Sequence, residues 1–394
     1  MKSVIVVGGG AAGLIAAITA ARSGASVTVL EANEKPGKKL LATGNGRCNL
    51  TNMEQQPNRY RGQDSAKAWD YLKRFTAFDT LRFFSEIGIY TKNRNGWMYP
   101  NSDQAQAVLD CLLMEARYQK VKLKLKQQIV DVCWDPKGWQ VKTDSWTYTA
   151  DAVILACGSP ASQIEGASDF GYRFARKQKL PVVSMEPALV GLRGIGDYYA
   201  SWAGVRIHAS VTLYLEGMPM KMEEGEVQLT DYGISGIPVF QISRYAVRGV
   251  KEHTRTEAVL DFLPDFTEEA LEQHLKTRQK HCPYKSMEEQ LVGLLPSKLI
   301  PLVSREASNT QELISRIKHH VVTIKGASSL SQAQVCSGGI LLKALDENLQ
   351  SIQYPGLYMA GEVLDVDGAC GGYNLQWAWT SGAIAGSAAA KEKL

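Results

Sequence analysis

The chain has 394 residues, 45% hydrophobic and 21% charged, with a formal net charge of +4. That length allows two or three globular domains, and the weak charge, with no Lys/Arg block or RNA-binding signature, argues against a nucleic-acid partner. Seven cysteines, an odd count without a C-x-x-C, argue against a disulfide framework and a structural zinc site, as suits a reducing cytoplasm.

In chain order, Val4-Ile5-Val6-Val7 reads as a buried parallel strand. It starts so early that no signal peptide is expected. Gly8, Gly10 and Gly13 then form G-x-G-x-x-G. Ala11 to Ser23, with six alanines and no proline, reads as a tightly packed helix that Gly24 stops. Ser26 to Leu30 reads as the next strand, and Glu31 follows Gly13 by 18 residues, where a ribose-binding acid belongs. Gly8 permits the turn, Gly10 lets the backbone approach a pyrophosphate, and Gly13 lets helix and strand close up. The helix N-terminus faces the phosphates. This is a dinucleotide site, for FAD or NAD alike on these residues.

The stretch 35–52, rich in Gly, Asn and cations, reads as a loop suited to phosphates and a flavin edge. Ser65 to Ile87 reads as two helices, Asn95 to Pro100 as a turn, and Ser102 as the cap of a helix from Asp103 to Tyr118. Strands at 122–125, 128–132, 139–142 and 147–149 read as a β-meander. Asp151 to Ser159 reads as a core strand returning to a Gly turn, with Cys157 a buried structural thiol. Residues 187–243 alternate like strands and 265–320 turn helical, with His319 and His320 read as surface residues rather than metal ligands. Near the end, a strand runs into Gly361-Glu362, and a Gly-rich loop opens an Ala-rich helix near Asn374. An acid for a ribityl chain and a helix N-terminus facing a reducible ring suit a flavin. Asp365-x-Asp367-Gly368 lacks the distal Glu of a calcium loop, so no metal is expected. The small-residue run Ser381 to Ala390 is too short to span a bilayer, and no membrane partner is expected.

Three blocks together resemble a known family. Gly44-Asn45-Gly46-Arg47-Cys48-Asn49-Leu50-Thr51-Asn52 resembles the G-x-G-R-C-N-x-T-N signature of the BaiN-like (YhiN-type) flavoproteins, also called NAD(P)/FAD-dependent or aminoacetone oxidase family proteins. Thr230 to Gly236, and Gly361 to Asp365 with Gly371 to Gln376, agree with it. The resemblance implies an α/β fold: a Rossmann-like FAD-binding domain of the glutathione-reductase type, 1–188 with 322–394. It implies an inserted β-barrel-like domain at 189–250, with returning strands near 321, and a nested helical domain at 251–320. By match, FAD contacts fall on Gly8, Gly10, Ala12, Gly13, Glu31, Lys38, Gly44, Arg47, Cys48, Val130, Gly158, Gly361, Glu362, Gly372, Tyr373, Asn374 and Leu375. Three departures stand out. The family's T-G-G is Cys157-Gly158-Ser159, its Gly-rich run after that is Gly166 to Gly171, and its T-H-x-G is Thr230-Asp231-Tyr232-Gly233, which removes a histidine.

There is one complete G-x-G-x-x-G, so NADH or NADPH would dock transiently rather than own a domain. The first expectation is a reductase passing hydride from NAD(P)H through FAD to an enone-type C=C bond of a small molecule. The relatives' substrate, a 3-oxo-Δ4 steroid of bile-acid metabolism, is an example. The alternatives are an oxidase of a small amine such as aminoacetone, producing peroxide, and a flavin-containing RNA-modifying protein. Tyr232 is the candidate proton donor. Substrate, nicotinamide preference and oligomeric state are open at this level.

Overall fold

The structure is a computed structural model that describes residues 1–136 and 138–391. The chain divides into two compact units, residues 1–185 with 335–394, and residues 186–334.

The first unit is built on a five-stranded parallel sheet. Its order is Leu357–Met359, Ala152–Leu155, β1 (Ser3–Val7), β2 (Ser26–Leu30) and Lys122–Lys124. Val4 pairs with both Ala152 and Val27, which fixes the register. The central strands are buried on both faces, which explains their unbroken β-branched runs. The helix α1 (Ala11–Arg22) lies against the C-terminal helix (Tyr373–Ala390), and their contact is made of small residues. A Cβ at Gly382 would run into the Ala12 carbonyl, and one at Gly386 into that of Ala16. The many alanines therefore serve close helix contact, not propensity alone. No helix among the described residues is long and apolar enough to cross a membrane.

Several sequence expectations change here. Lys122–Lys124 pairs in parallel with β2, so it is the edge of the main sheet and not part of the meander. The meander keeps three strands, Ile129–Asp135, Gly138–Thr143 and Thr147–Ala150. The 35–52 loop contains a short helix, Lys38–Ala42. Trp97–Pro100 is a strand, paired with Thr91–Arg94 and Thr51–Asn52. Helix Ala105–Tyr118 starts after Gln104 with no side-chain cap, so Ser102 does not cap it.

The second unit is a closed barrel. Its strands run Leu192–Gly194, Gly233–Gly236, Met218–Thr230, Arg206–Leu215, Thr256–Asp261 and His320–Ala327, and the last closes on the first. Val211, Leu213, Val227, Leu229, Ala258, Leu260 and Val322 alternate inward and are fully buried. The barrel therefore takes strands from what the sequence suggested was the helical domain and the FAD domain. The segment 322–327 belongs to the barrel, because His320–Ala327 pairs on both sides, and the first unit resumes at 335, not 322. Ile237–Lys251, expected to continue the strand pattern, is a helix opened by Pro238 in its first turn. Helices between Glu268 and Lys318 share one apolar core with the barrel. His319 is exposed and meets Glu268 at 2.7 Å, as expected of a surface histidine. His320 is not one: its ring packs among Trp202, Phe262 and Tyr198, and burial lowers its pKa to about 4.

Candidate functional site

The site forms where parallel strands end. Gly8 closes β1 at φ +103°, and a Cβ there would press on the Ala156 carbonyl of the neighbouring strand's end. Gly13 has no room either, since its Cβ would overlap the Gly8 carbonyl. Gly10 differs. It caps α1 at an ordinary φ of −83°, and a Cβ there meets nothing within 4 Å. Gly158, at the end of the adjacent strand, also faces open space. Open space thus adjoins two neighbouring strand ends and a helix N-terminus, where an open α/β sheet binds a pyrophosphate.

Glu31 follows directly on β2 and is 8% exposed. Its Oε2 accepts from the Gly9 N–H at 2.7 Å, and its Oε1 accepts from the Asn33 N–H and side-chain amide at 2.9 and 2.8 Å. Three of roughly four lone-pair sites are filled, which leaves one for a ribose hydroxyl. The short helix splits its two lysines. Lys38 reaches Glu165 at 2.5 Å and Asn33 at 3.2 Å, while Lys39 reaches Glu362 at 2.6 Å. Glu362 also accepts from the Ser159 hydroxyl at 2.8 Å and the Cys336 N–H at 3.0 Å. Lys39 and Cys336 were not singled out in the sequence, and Ser159 stood there only as a departure from the family's T-G-G. Adjacent helical lysines point about 100° apart, and that was the available signal that both could not serve one group.

The signature block coils tightly: Gly44, Asn45, Gly46 and Cys48 all have positive φ, between +54° and +80°. That explains its Gly and Asn content. Gly44 and Arg47 are exposed at its tip. Cys48 turns inward to a core with Leu50, Phe84 and Trp379, and burial pushes its thiol up to about 12. The same block supports the C-terminal helix. Asn52 donates to the Gly371 carbonyl at 3.0 Å, and Thr51 donates to Gln376 Oε1 at 2.6 Å. Trp379 donates back to the Leu50 carbonyl at 2.9 Å. Gln376 is wholly buried and also accepts from Thr80 at 3.0 Å. Two signatures more than 300 residues apart are one hydrogen-bonded assembly.

At the helix start, Gly372 has φ +92° and no room for a side chain against the Thr51 carbonyl. Tyr373 donates to the Glu54 carbonyl at 2.8 Å, and Asn374 clamps Gly368 by accepting at 2.8 Å and donating at 3.0 Å. Leu375 packs into the core around Cys48. These side chains are engaged in shape, so the helix offers its first-turn backbone N–H groups as donors. Gly361, at φ +77°, donates its N–H to Ser381 at 2.9 Å and lies against Ala12. Val130 is the outlier: it sits at a bulge of the meander and is 63% exposed. Cys157 is partly buried, with its sulfur packed against Gly171, and desolvation of the thiol pushes it up to about 11. Tyr232 belongs to the second unit, in the turn joining two barrel strands, with the Arg193 guanidinium 5.4 Å from its ring centre and its hydroxyl close to Gly191. The residues of the first unit fit FAD: open space at a helix N-terminus, an acid for ribose, and a second acid, Glu362, that keeps an acceptor site.

A family model described as HI0933-like protein Rossmann domain matches residues 2–388. A 3-dehydro-bile acid delta(4,6)-reductase from Clostridium scindens is 42% identical, over 99% of this chain and 100% of its own. A ribosomal RNA dihydrouridine synthase from Escherichia coli is 31% identical, over 96% of this chain and 95% of its own. Among solved structures, 3-ketosteroid-delta4-(5alpha)-dehydrogenase from Rhodococcus jostii shares the fold at 15% identity and a TM-score of 0.52, covering 99% of this chain and 97% of that one. The chain belongs to the HI0933-like Rossmann family and is an FAD-dependent oxidoreductase.

Proposed function

We propose that the protein reduces a C=C bond conjugated to a carbonyl in a small molecule of the 3-oxo-Δ4 steroid type, with NADH or NADPH as electron source. The full-length 42% identity to the bile-acid reductase carries this reading. Bound FAD, once reduced by hydride from NADH or NADPH, would supply hydride to the β-carbon, and a proton would go to the α-carbon. The nicotinamide gives up two electrons, and solvent makes good the proton. Glu31, Glu362 and the N-termini of α1 and of the C-terminal helix would hold the cofactor, and a helix N-terminus would favour negative charge gained on reduction. Tyr232 is the proton donor of this reading, oriented by the stacked Arg193.

A second reading has support of its own. Two rRNA dihydrouridine synthases, from Escherichia coli and Haemophilus influenzae, are 31% and 30% identical over nearly the whole chain. Uracil C5=C6 is also conjugated to a carbonyl, so the bond chemistry is shared and only the carrier of the bond differs. It reopens the nucleic-acid partner that the weak net charge argued against. The amine oxidase alternative is not matched by any relative named above. The test offers the purified enzyme NADH or NADPH with a 3-oxo-Δ4,6 steroid or with unmodified rRNA, and reads the mass gained. A gain of two hydrogens on the steroid supports the first reading. The same gain on a uridine, with the steroid untouched, replaces it with the second.

A further inference from the structure

Glu362 is held by three chain segments at once. Its Oε1 accepts from the Ser159 hydroxyl at 2.8 Å and from the Cys336 N–H at 3.0 Å, and its Oε2 meets the Lys39 ammonium at 2.6 Å. A carboxylate has about four lone-pair sites, two on each oxygen. Both sites of Oε1 are filled, and Oε2 keeps one. Among the described residues no other donor reaches it. The donors also fix the rotamer, because they come from different directions: a short helix at 38–42, the turn after Ala152–Leu155, and the strand Val335–Ile340. Ser159 stands where the family resemblance expected a glycine, and its hydroxyl is one of these donors. Neighbouring Gly361 is anchored by Ser381 and by Trp377, whose indole donates to the Gly361 carbonyl at 3.1 Å. The backbone beneath the carboxylate is therefore also fixed.

We propose that Lys39, with Ser159, is a positioning residue for the flavin half of FAD, aiming the one remaining acceptor site of Glu362 Oε2 at a ribityl hydroxyl. The inference rests on FAD occupying the first unit. Lys38 and Lys39, adjacent in sequence, then serve opposite ends of one cofactor: Lys38 stands beside Asn33, which holds the ribose-binding Glu31, and Lys39 beside the acid of the ribityl chain. Removing Lys39 frees Glu362 to turn away while leaving the adenosine end intact.

The test separates the two ends. Apoprotein is titrated with FAD, and ADP, which lacks the flavin half, is used as competitor. Lys39→Met should raise the FAD dissociation constant about tenfold, in keeping with loss of a charge-assisted contact. The ADP inhibition constant should stay within about twofold, and Lys39→Arg should restore most of the FAD affinity. Ser159→Ala, approaching from another element, should show the same pattern more weakly, and it serves should Lys39→Met fail to fold. Unchanged FAD affinity in Lys39→Met overturns the proposal. So does parallel weakening of ADP and FAD, which marks a merely structural lysine. Wild-type protein that binds neither overturns instead the assignment of FAD to this site.

Discussion

At the scale of single residues, the three glycines of the first turn are unequal, and that inequality is testable. Gly13→Ala sets a Cβ into the Gly8 carbonyl, a backbone group that cannot swing aside, and should cost about 3 kcal/mol of stability. Gly10→Ala enters open space at an ordinary φ, so stability should fall by about 1 kcal/mol or less while FAD binding weakens at least about tenfold. Thermal melts beside flavin titrations check both, and equal melting temperatures for the two variants would be a contrary result. The thiols form a second case. Burial holds Cys48 at about 12 and Cys157 at about 11, so neither should react with a disulfide reagent at pH 8 until the protein unfolds. The motif glycines and Glu31 were legible because their spacing is set by backbone geometry. Lys39, Ser159 and Gln376 were not, because the partners that define their roles lie 203 to 325 residues away in sequence, and spacing carries no trace of that.

At the scale of elements, the central parallel strands and α1 were legible because burial on both faces writes unbroken apolar runs, whereas the exposed edge strand Lys122–Lys124 writes none and was read into the meander. The barrel was legible as alternation but not in extent. Thr256–Asp261 and His320–Ala327 sit on either side of a helical insertion, and only pairing across it assigns them to the barrel. Ile237–Lys251 was missed because its buried positions, Val239, Ile242 and Ala246 among them, follow strands without a polar break. His320 shows what tertiary setting adds. Its Nε2 is buried without a hydrogen-bond partner among the described residues, and nearby Arg316 adds repulsion to the proton. The folded pKa of about 4 lies below the ordinary 6.5, so the unfolded chain binds the proton first as pH falls. Stability from this residue is complete above pH 6.5 and is lost toward pH 4, by at most about 1.4 kcal/mol per pH unit. Denaturant melts of wild type and His320→Phe across that window should show a shallower acid slope in the variant, and identical slopes would contradict the assignment.

For the whole molecule, the family membership and the fold agree on a flavin enzyme, while the reaction turns on what accepts the hydride. Tyr232→Phe should retain FAD binding and reduction by nicotinamide, since neither needs its hydroxyl, while slowing substrate turnover about 100-fold or more. The most direct measurement is anaerobic. FAD-loaded enzyme is bleached with one equivalent of NADH or NADPH, mixed with a 3-oxo-Δ4,6 steroid, and followed at the absorbance of oxidised flavin. Bleaching by the nicotinamide and return of the colour with the steroid, without oxygen, is the expected result. Colour that returns only when air is admitted, with bleaching achieved by aminoacetone and not by either nicotinamide, would contradict it.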